Sequence, residues 1–249
     1  MWSAALPSAY VMQPATKGNE MPLLDSYKQQ AAECALEHVQ TGMRLGLGTG
    51  STARYVVEGL ATRLRDGRLR DIVGVPTSEA TAALARSLDV PLATLDDQFT
   101  LDLAIDGADE IDPQLNLIKG LGGALLREKI VAAAAATFVI VADHTKIVRI
   151  LGERTALPVE VIPFGMRPCG QHLRDLGCIP LLRRRVDGTP FVTDEGNYIL
   201  DCRFNTMNEP ASLGIAIRAI PGVVDHGLFV DMASVAYVAG TDGVTILRR

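Results

Sequence analysis

Apolar runs that alternate with helical patterns predict an α/β fold built on a doubly wound, mostly parallel sheet. Two observations carry this prediction. Strand and helix patterns alternate between residues 43 and 142, and a glycine-rich turn joins the first strand directly to the next helix. A third observation adds a second unit, because the alternation changes rhythm from about residue 157. The chain is therefore expected to contain a larger sheet domain and a smaller domain.

The elements of the first part follow in chain order. Alanines and leucines at helical spacing predict a helix over residues 26–39, with Ser26 as its N-cap. Short apolar runs predict strands, and apolar residues on one helical face predict the helices between them. The remaining elements of this part are a strand at 43–47, a helix at 51–65, a strand at 71–75, a helix at 80–88, a strand at 101–105, a helix at 124–136 and a strand at 138–142.

The later part has a different order. Strands are predicted at 157–162, 179–184, 191–193, 198–202 and 223–229, and helices at 167–176 and 210–219. This is the split β-α-β-β-α-β order of a ferredoxin-like α+β module. Strands at 235–238 and 244–247 are expected to rejoin the first sheet. The predicted organisation is a loose extension (1–24), a Rossmann-like domain (25–153 plus 230–249) and a ferredoxin-like domain (154–229).

Composition excludes several classes of function. The chain has 249 residues, 48% of them apolar, and a net charge of −5 without a dense Lys/Arg stripe, which argues against a nucleic-acid surface. No apolar run reaches the roughly 18 residues of a membrane span, so a cytoplasmic protein is expected. The first 24 residues lack the features of a signal peptide, and Met21 is an alternative start. Four cysteines without CxxC pairing indicate neither zinc nor disulfides.

The glycine-rich turn over residues 46–52 follows a strand and precedes a helix. Its glycines let the backbone approach a ligand, and the helix N-terminus presents free N–H groups to a phosphate. Gly48, Gly50 and Ala53 also match the dinucleotide fingerprint, but the next strand ends without the acidic residue that binds the ribose of a dinucleotide. The turn is interpreted as a phosphate site. A dinucleotide site and a purely structural turn remain alternatives.

Two further segments carry charge. Four carboxylates occur within residues 106–112, directly after a strand, and would repel one another without a cation or a ligand nearby. A solvated acidic loop and a metal site are the alternatives, although the spacing is not that of a calcium loop. Lys119 precedes a glycine turn at the start of a helix that carries Glu128, an arrangement suited to a developing oxyanion. Taken alone, Arg127, Glu128 and Lys129 would be a solvated helical face.

Together these segments resemble the ribose-5-phosphate isomerase A family, from about Lys28 to the C-terminus. The resemblance rests on short motifs in the family's order: Gly48-Thr49-Gly50-Ser51-Thr52, Asp106-Gly107-Ala108-Asp109-Glu110, Lys119-Gly120 with Arg127-Glu128-Lys129, and Ala142-Asp143 with Lys146. The stretches Leu157-Pro158-Val159-Glu160-Val161 and Ala219-Ile220-Pro221-Gly222-Val223 resemble the family's second domain. Lys28 stands where the family has a lysine on its first helix.

The resemblance implies an aldose–ketose isomerase of the pentose phosphate pathway that interconverts D-ribose 5-phosphate and D-ribulose 5-phosphate by proton transfer through an enediolate. It implies no cofactor and no metal, and a homodimer or homotetramer. Glu128 matches the family's base, Lys119 the group that holds the sugar oxygens, and Asp106 and Asp109 the carboxylates around the sugar hydroxyls. The implied substrate-binding residues are Lys28, Thr49, Gly50, Ser51, Thr52, Gly107, Ala108, Gly120, Leu121, Gly122 and Lys146.

One residue departs from the family pattern. The family commonly has a run of glycines after the lysine, and Leu121 interrupts it here. Leucine fits only with ordinary dihedral angles and a side chain that points away from the sugar. Three rival functions remain open: an NAD-linked oxidoreductase, a non-catalytic sugar-phosphate sensor, and a coenzyme A transferase with a nucleophilic glutamate.

Overall fold

The computed structural model describes residues 20–249. The first half of the chain contains α1 (Glu20–Leu36), β1 (Arg44–Leu47), α2 (Ala53–Arg65), β2 (Val73–Pro76), α3 (Glu79–Ser87), β3 (Leu101–Asp106), β4 (Glu110–Ile111), β5 (Leu117–Ile118), α4 (Leu125–Ala134) and β6 (Ala135–Asp143). The second half contains β7 (Leu157–Val161), α5 (Met166–Asp175), β8 (Ile179–Leu182), β9 (Tyr198–Arg203), α6 (Pro210–Arg218), β10 (Val223–His226), β11 (Leu228–Phe229), β12 (Val235–Gly240) and β13 (Gly243–Arg248).

The central sheet confirms the doubly wound prediction. Its order is β2-β1-β3-β6-β12-β13; the first five strands are parallel, and β13 is an antiparallel edge. From β1 the chain first adds β2 on one side, and it then returns across β1 to add β3 on the other side. The direction of winding therefore reverses between β1 and β3. Ligands of such sheets bind outside the carboxyl ends of the strands at this switch point. The turn after β1 and the acidic segment after β3 therefore meet at one edge.

Helices cover both faces of the central sheet. Leu47, Ile105 and Val141 pack with α1 and α2 on one face, whereas Ala104 and Ile140 pack with α4 on the other. Successive side chains of a strand point to opposite faces, so a strand covered on both sides is apolar throughout. The run of buried residues along β3 and β6 reflects this position in the middle of the sheet.

The smaller sheet has the order β10-β7-β9-β8, with antiparallel neighbours. Helices α5 and α6 connect its strands in the β-α-β-β-α-β order, which confirms the ferredoxin-like prediction. The two final strands join the first sheet as expected. The exact domain limits, 25–153 with 230–249 and 154–229, stay a prediction.

Several predicted elements differ from the structure. Helix α1 begins at Glu20 and ends at Leu36, so the predicted start at Ser26 is wrong. Pro22 is tolerated because the N–H groups of the first helical turn have no helical partner. Residues 20–24 of the predicted extension are thus helical, and residues 1–19, with the signal-peptide prediction, lie outside the described residues. The predicted strand at 191–193 carries only an isolated bridge between Val192 and Tyr198.

The predicted strand at 223–229 is divided between two sheets. Strand β10 belongs to the smaller sheet, and β11 joins β5 and β4 in a three-stranded sheet that the sequence did not reveal. The division falls at Gly227, whose carbonyl accepts from the N–H of Lys119 at 2.9 Å. A Cβ at this position would lie 2.2 Å from the Lys119 carbonyl oxygen, so glycine permits the close approach that places Lys119.

Within residues 20–249, no helix combines the length and the apolar character needed to cross a membrane.

Candidate active site

Lys119 is the centre of a buried charge cluster. It follows β5 directly, and its side chain is 2% exposed. Its ammonium lies 3.0 Å from Asp106 Oδ2 and 3.1 Å from Glu128 Oε1, and it donates to the carbonyl of Gly107 at 2.7 Å. Burial alone would lower the pKa of Lys119, but the facing carboxylates outweigh burial and raise it above its usual value. Lys119 is therefore a fixed positive charge.

Asp106 ends β3 at the carboxyl edge of the sheet. Its Oδ1 accepts from the backbone N–H groups of Thr49 at 3.0 Å and Gly107 at 2.7 Å. Burial raises the pKa of Asp106, and the charge of Lys119 opposes that rise. Asp106 thus ties the turn after β1 to the lysine, which joins two segments that are about 70 residues apart in the chain.

Glu128 lies in the first turn of α4 and is 5% exposed. One carboxylate oxygen accepts from Lys119, whereas Oε2 has no hydrogen-bond partner among the described residues. Burial raises the pKa of Glu128 to about 8; Lys119 lowers it, and the nearby charge of Asp106 adds to the rise. A buried carboxyl with one free oxygen and a pKa near neutrality has the properties of a general base.

The four carboxylates of residues 106–112 divide into two pairs with different roles. Asp106 and Asp109 face the lysine cluster. Glu110 instead accepts the backbone N–H groups of Gly152, Arg154 and Thr155, and Asp112 accepts from residues 114 and 116 in its own turn. The expected mutual repulsion is therefore relieved by hydrogen bonds and by Lys119. Among the described residues, no group of three potential metal ligands is found.

The turn after β1 contributes backbone more than side chains. The hydroxyl of Thr49 lies 2.7 Å from Thr77 and 2.8 Å from Ser78, and both of these residues follow β2. Gly50 has a φ of 110° with open space beside it, and Ser51 is exposed. The hydroxyl of Thr49, predicted to bind substrate, is thus held in a hydroxyl cluster. The free N–H groups at the start of α2 remain available to an anion.

Gly48→Ala is expected to lower kcat/KM by at least tenfold, about the penalty for a small misplacement of catalytic groups. A Cβ on Gly48 would lie 2.2 Å from Asp106 Oδ1 and 2.6 Å from its Cα, so Asp106 must move, and its ion pair with Lys119 is disturbed. Steady-state kinetics measure the effect. Gly67→Ala is the control: Gly67 has a φ of 77° in a turn with open space around it. Its variant is expected to lose stability only, and equal kcat/KM for both variants would contradict the expectation.

The loop after Lys119 accommodates Leu121. The left-handed positions fall on Gly120 and Gly123, with φ of 100° and 86°, whereas the φ of Leu121 is not positive. The Leu121 side chain is 48% exposed, and its N–H donates to Asp109 Oδ2 at 2.9 Å. Of the two conditions for a leucine at this position, the one on φ is met; the direction of the side chain relative to the sugar stays a prediction. The loop thereby orients Asp109, the fourth predicted catalytic residue.

The other predicted binding residues lie around these groups. A Cβ on Gly122 would contact Thr49 Cγ2 at 3.8 Å, so the two glycine loops meet. Residues 107 and 108 are half-buried at the end of β3, and Thr52 is buried beside Gly107. The three charged or glycine-rich segments of the sequence therefore form one site.

Lys28 and Lys146 lie on neighbouring elements. Lys28, on α1, forms an ion pair with Asp25 at 3.1 Å, and the adjacent Tyr27 packs its ring against His144 with centroids 5.6 Å apart. His144 begins the short 3-10 turn that contains Lys146, directly after β6. Within the described part of the chain, neither lysine hydrogen-bonds to the Lys119 cluster. Lys146 therefore lies at the carboxyl edge of the central sheet, directly after β6.

Some residues at the site were not predicted. Thr77, Ser78 and Thr81 surround the Thr49 hydroxyl; their position just after β2 was a usable signal, because this strand ends at the same edge. Arg183 donates to the carbonyls of Gly120 and Leu121 at 2.9 Å each. It comes from the smaller sheet, and no local pattern marks it.

Comparison with known proteins gives consistent results. Residues 73–243 match the family model for ribose 5-phosphate isomerase A (phosphoriboisomerase A). The ribose-5-phosphate isomerase A of Roseiflexus sp. (strain RS-1) is 63% identical over 222 residues, which cover 89% of this chain and 95% of that protein. That of Synechococcus sp. (strain JA-3-3Ab) is 52% identical over 230 residues, which cover 92% of this chain and 100% of that protein.

Solved structures agree with these matches. A D-ribose-5-phosphate isomerase in complex with phospho-erythronic acid superposes with a TM-score of 0.89 at 40% identity, over 91% of this chain and 99% of that one. Ribose 5-phosphate isomerase from Plasmodium falciparum superposes with a TM-score of 0.87 at 42% identity, over 90% and 99%. On this evidence the chain belongs to the ribose 5-phosphate isomerase A family.

Proposed function

We propose that the chain interconverts D-ribose 5-phosphate and D-ribulose 5-phosphate with Glu128 as the general base. Membership in the ribose 5-phosphate isomerase A family identifies the chain as an aldose–ketose isomerase of the pentose phosphate pathway. The observation that supports the role of Glu128 is its buried carboxylate, which has one oxygen on Lys119 and the other without a partner among the described residues. In the proposed reaction, that second oxygen exchanges a proton with the substrate.

Each proton and electron pair is accounted for in the proposed reaction. Glu128 removes the proton from C2 of the open-chain aldose, the C–H electrons form the C1=C2 bond, and the aldehyde oxygen becomes an oxyanion. The enediolate then takes the proton from Glu128 at C1, and the proton of the C2 hydroxyl passes to the oxygen on C1. Asp106 and Asp109 carry that transfer between the oxygens, and Glu128 ends in its starting state.

Lys119 stabilises the enediolate by its charge. It is held by Asp106, Glu128 and the Gly107 carbonyl before any substrate arrives, so little reorganisation accompanies charge development. A preorganised donor of this kind contributes about 3 kcal/mol to the transition state. The same charge lowers the pKa of Glu128 and so makes it a stronger acid than burial alone would.

The phosphate is proposed to bind at the start of α2. Gly50 leaves open space, and the N–H groups of the first turn of α2 have no partner within the helix. Lys28 and Lys146 supply positive charge from neighbouring elements. A dinucleotide is disfavoured, because Thr77 and Ser78 directly follow β2 where a dinucleotide site has a carboxylate. The hydroxyls of both residues hydrogen-bond with that of Thr49.

We also propose, by analogy with the family, a cytoplasmic homodimer or homotetramer.

The pH dependence of ketose formation tests the proposed function. With chelator present, kcat/KM for ribose 5-phosphate is expected to rise with pH and to level off above about 8, where Glu128 becomes ionised. The slope below that point is about tenfold per pH unit, as expected for one proton. Measuring kcat at saturating substrate separates this ionisation from that of the substrate phosphate. No ketose formation, or a half-point near the ordinary glutamate value of about 4.3, would contradict the proposal.

A further inference from the structure

The loop after Lys119 is held from outside by the smaller sheet. Arg183 follows β8 directly, and its side chain is 12% exposed. One nitrogen of its guanidinium, Nη1, donates to the carbonyls of Gly120 and Leu121 at 2.9 Å each. The guanidinium of Arg183 therefore fixes two successive peptide units of the 120–123 loop, which follows β5 and lies outside the smaller sheet.

Arg183 is itself fixed. Its Nε donates to Asp201 Oδ2 at 3.0 Å and its Nη2 to Asp201 Oδ1 at 2.5 Å, which is a two-pronged ion pair. Asp201 lies on β9, opposite Leu181 of β8. A rigid guanidinium fork held in this way loses little further freedom when it binds the two carbonyls.

The C-terminal end of the same loop contacts the segment between β8 and β9, which also contains Arg183. The ring of Phe191 fills the space beside Gly123, where a Cβ would lie 2.4 Å from the ring. The N–H of Phe191 donates to the carbonyl of Arg183 at 2.9 Å, and the guanidinium lies 5.9 Å from the ring centroid. Both ends of the 120–123 loop thus contact one segment, residues 183–191, which follows β8 of the smaller sheet.

The consequence falls on Asp109. The N–H of Leu121, in one of the two fixed peptides, donates to Asp109 Oδ2. Lys119 has separate support, because its own N–H binds the Gly227 carbonyl and its ammonium is buried among carboxylates. Loss of Arg183 would therefore release Asp109 more than it releases Lys119.

We propose that Arg183 is a positioning residue. It fixes the orientation of the Asp109 carboxylate through the Leu121 peptide, and the smaller sheet thereby contributes to catalysis. This inference rests on the proposed function, since it concerns the same reaction.

A double-mutant cycle on kcat/KM for ribose 5-phosphate tests this inference. Arg183→Met is expected to lower kcat/KM about tenfold, and Asp109→Asn to lower it further. The double variant is expected to lie within about twofold of Asp109→Asn, because residues that act through one contact are not additive. Arg184→Met is the matched control, since the Arg184 guanidinium binds the Gly188 carbonyl within its own hairpin; it is expected to keep the wild-type value.

Two further measurements keep the outcome decisive. If Arg183→Met does not fold, Arg183→Lys replaces it; lysine keeps a charge for Asp201 but lacks the planar fork. If Asp109→Asn is too slow to measure, hydrogen exchange of the peptide that contains Leu121 is compared, and exchange is expected to be faster in the Arg183 and Asp109 variants alike. Multiplying effects on kcat/KM, unchanged kcat/KM in the Arg183 variant, or unchanged exchange would overturn the inference. An inactive wild type would instead refute the proposed function.

Discussion

Glu128→Gln is expected to lower kcat by about 10²- to 10⁴-fold, the usual contribution of a positioned general base. Glutamine keeps the shape and can still accept from Lys119, but its amide cannot take the C2 proton. The fold is expected to survive, because Lys119 retains its ion pair with Asp106. Rates of ketose formation and thermal melting curves, measured on the same preparations, separate the two effects.

Glu58→Gln is the matched control for that substitution. Glu58 lies on α2, has a partly exposed side chain, and pairs with Arg54 at 3.4 Å. An exposed pair of this kind contributes little to stability, so both kcat and the melting temperature are expected to stay near their wild-type values. A Glu128→Gln enzyme as fast as this control would remove Glu128 from the role of base.

Lys119→Met is expected to impair both catalysis and stability. Loss of the preorganised charge removes about 3 kcal/mol of transition-state stabilisation, roughly a hundredfold in kcat. Removal of one partner from a buried ion pair also costs about 3 to 5 kcal/mol of unfolding free energy, because Asp106 and Glu128 remain buried together. Enzyme kinetics and denaturant unfolding measure the two losses.

The stability loss of Lys119→Met is expected to depend on pH. Without the lysine, burial raises the pKa of both carboxyls further above the values of the unfolded chain, about 4. Below about pH 4 both carboxyls are protonated, and burial of the neutral forms is tolerated. Folding stability is then lost as pH rises through the folded-state pKa, which is already about 8 for Glu128 in the wild type. The destabilisation should therefore be smallest near pH 4 and largest above pH 8. A loss that is constant with pH would contradict this account.

Lys129→Met serves as the control for a partly buried cation outside the cluster. The ammonium of Lys129 binds Asp225 at 2.7 Å, and Asp225 is also bound by Arg218. Its removal leaves Asp225 with a partner, so a smaller loss of stability and a kcat within a few-fold of the wild type are expected.

The main sheet was predictable because its signals are local. Strands such as β1 and β3 are short apolar runs that end at glycine turns, and parallel strands bring their carboxyl ends to one edge. That rule predicts that Asp106 lies beside the Gly48 turn. The proximity of Glu128 to Lys119 was implied by family resemblance and by a helix start close to a lysine.

The remaining features depend on contacts between distant residues. Strands β4 and β5 have two residues each, too few for a periodic pattern. The run at 223–229 looked continuous, and only the close approach of the Lys119 carbonyl to Gly227 divides it. In the acidic segment, Glu110 could not be separated from Asp109, because its three N–H donors come from residues 152–155. Arg183 reaches the catalytic loop across some 60 residues of sequence.

Isomerisation in D₂O tests the central claim most directly. With chelator present, wild-type enzyme converts ribose 5-phosphate while NMR follows deuterium at C1 of the ribulose 5-phosphate formed. If Glu128 carries the proton between C2 and C1, its carboxyl exchanges with solvent during the enediolate's lifetime, and deuterium appears at C1. Glu128→Gln should then incorporate it at least a hundredfold more slowly, in line with the lower limit of about 10² for a general base. Equal rates of incorporation by both enzymes, or ketose formation by Glu128→Gln as fast as by the wild type, would contradict the account.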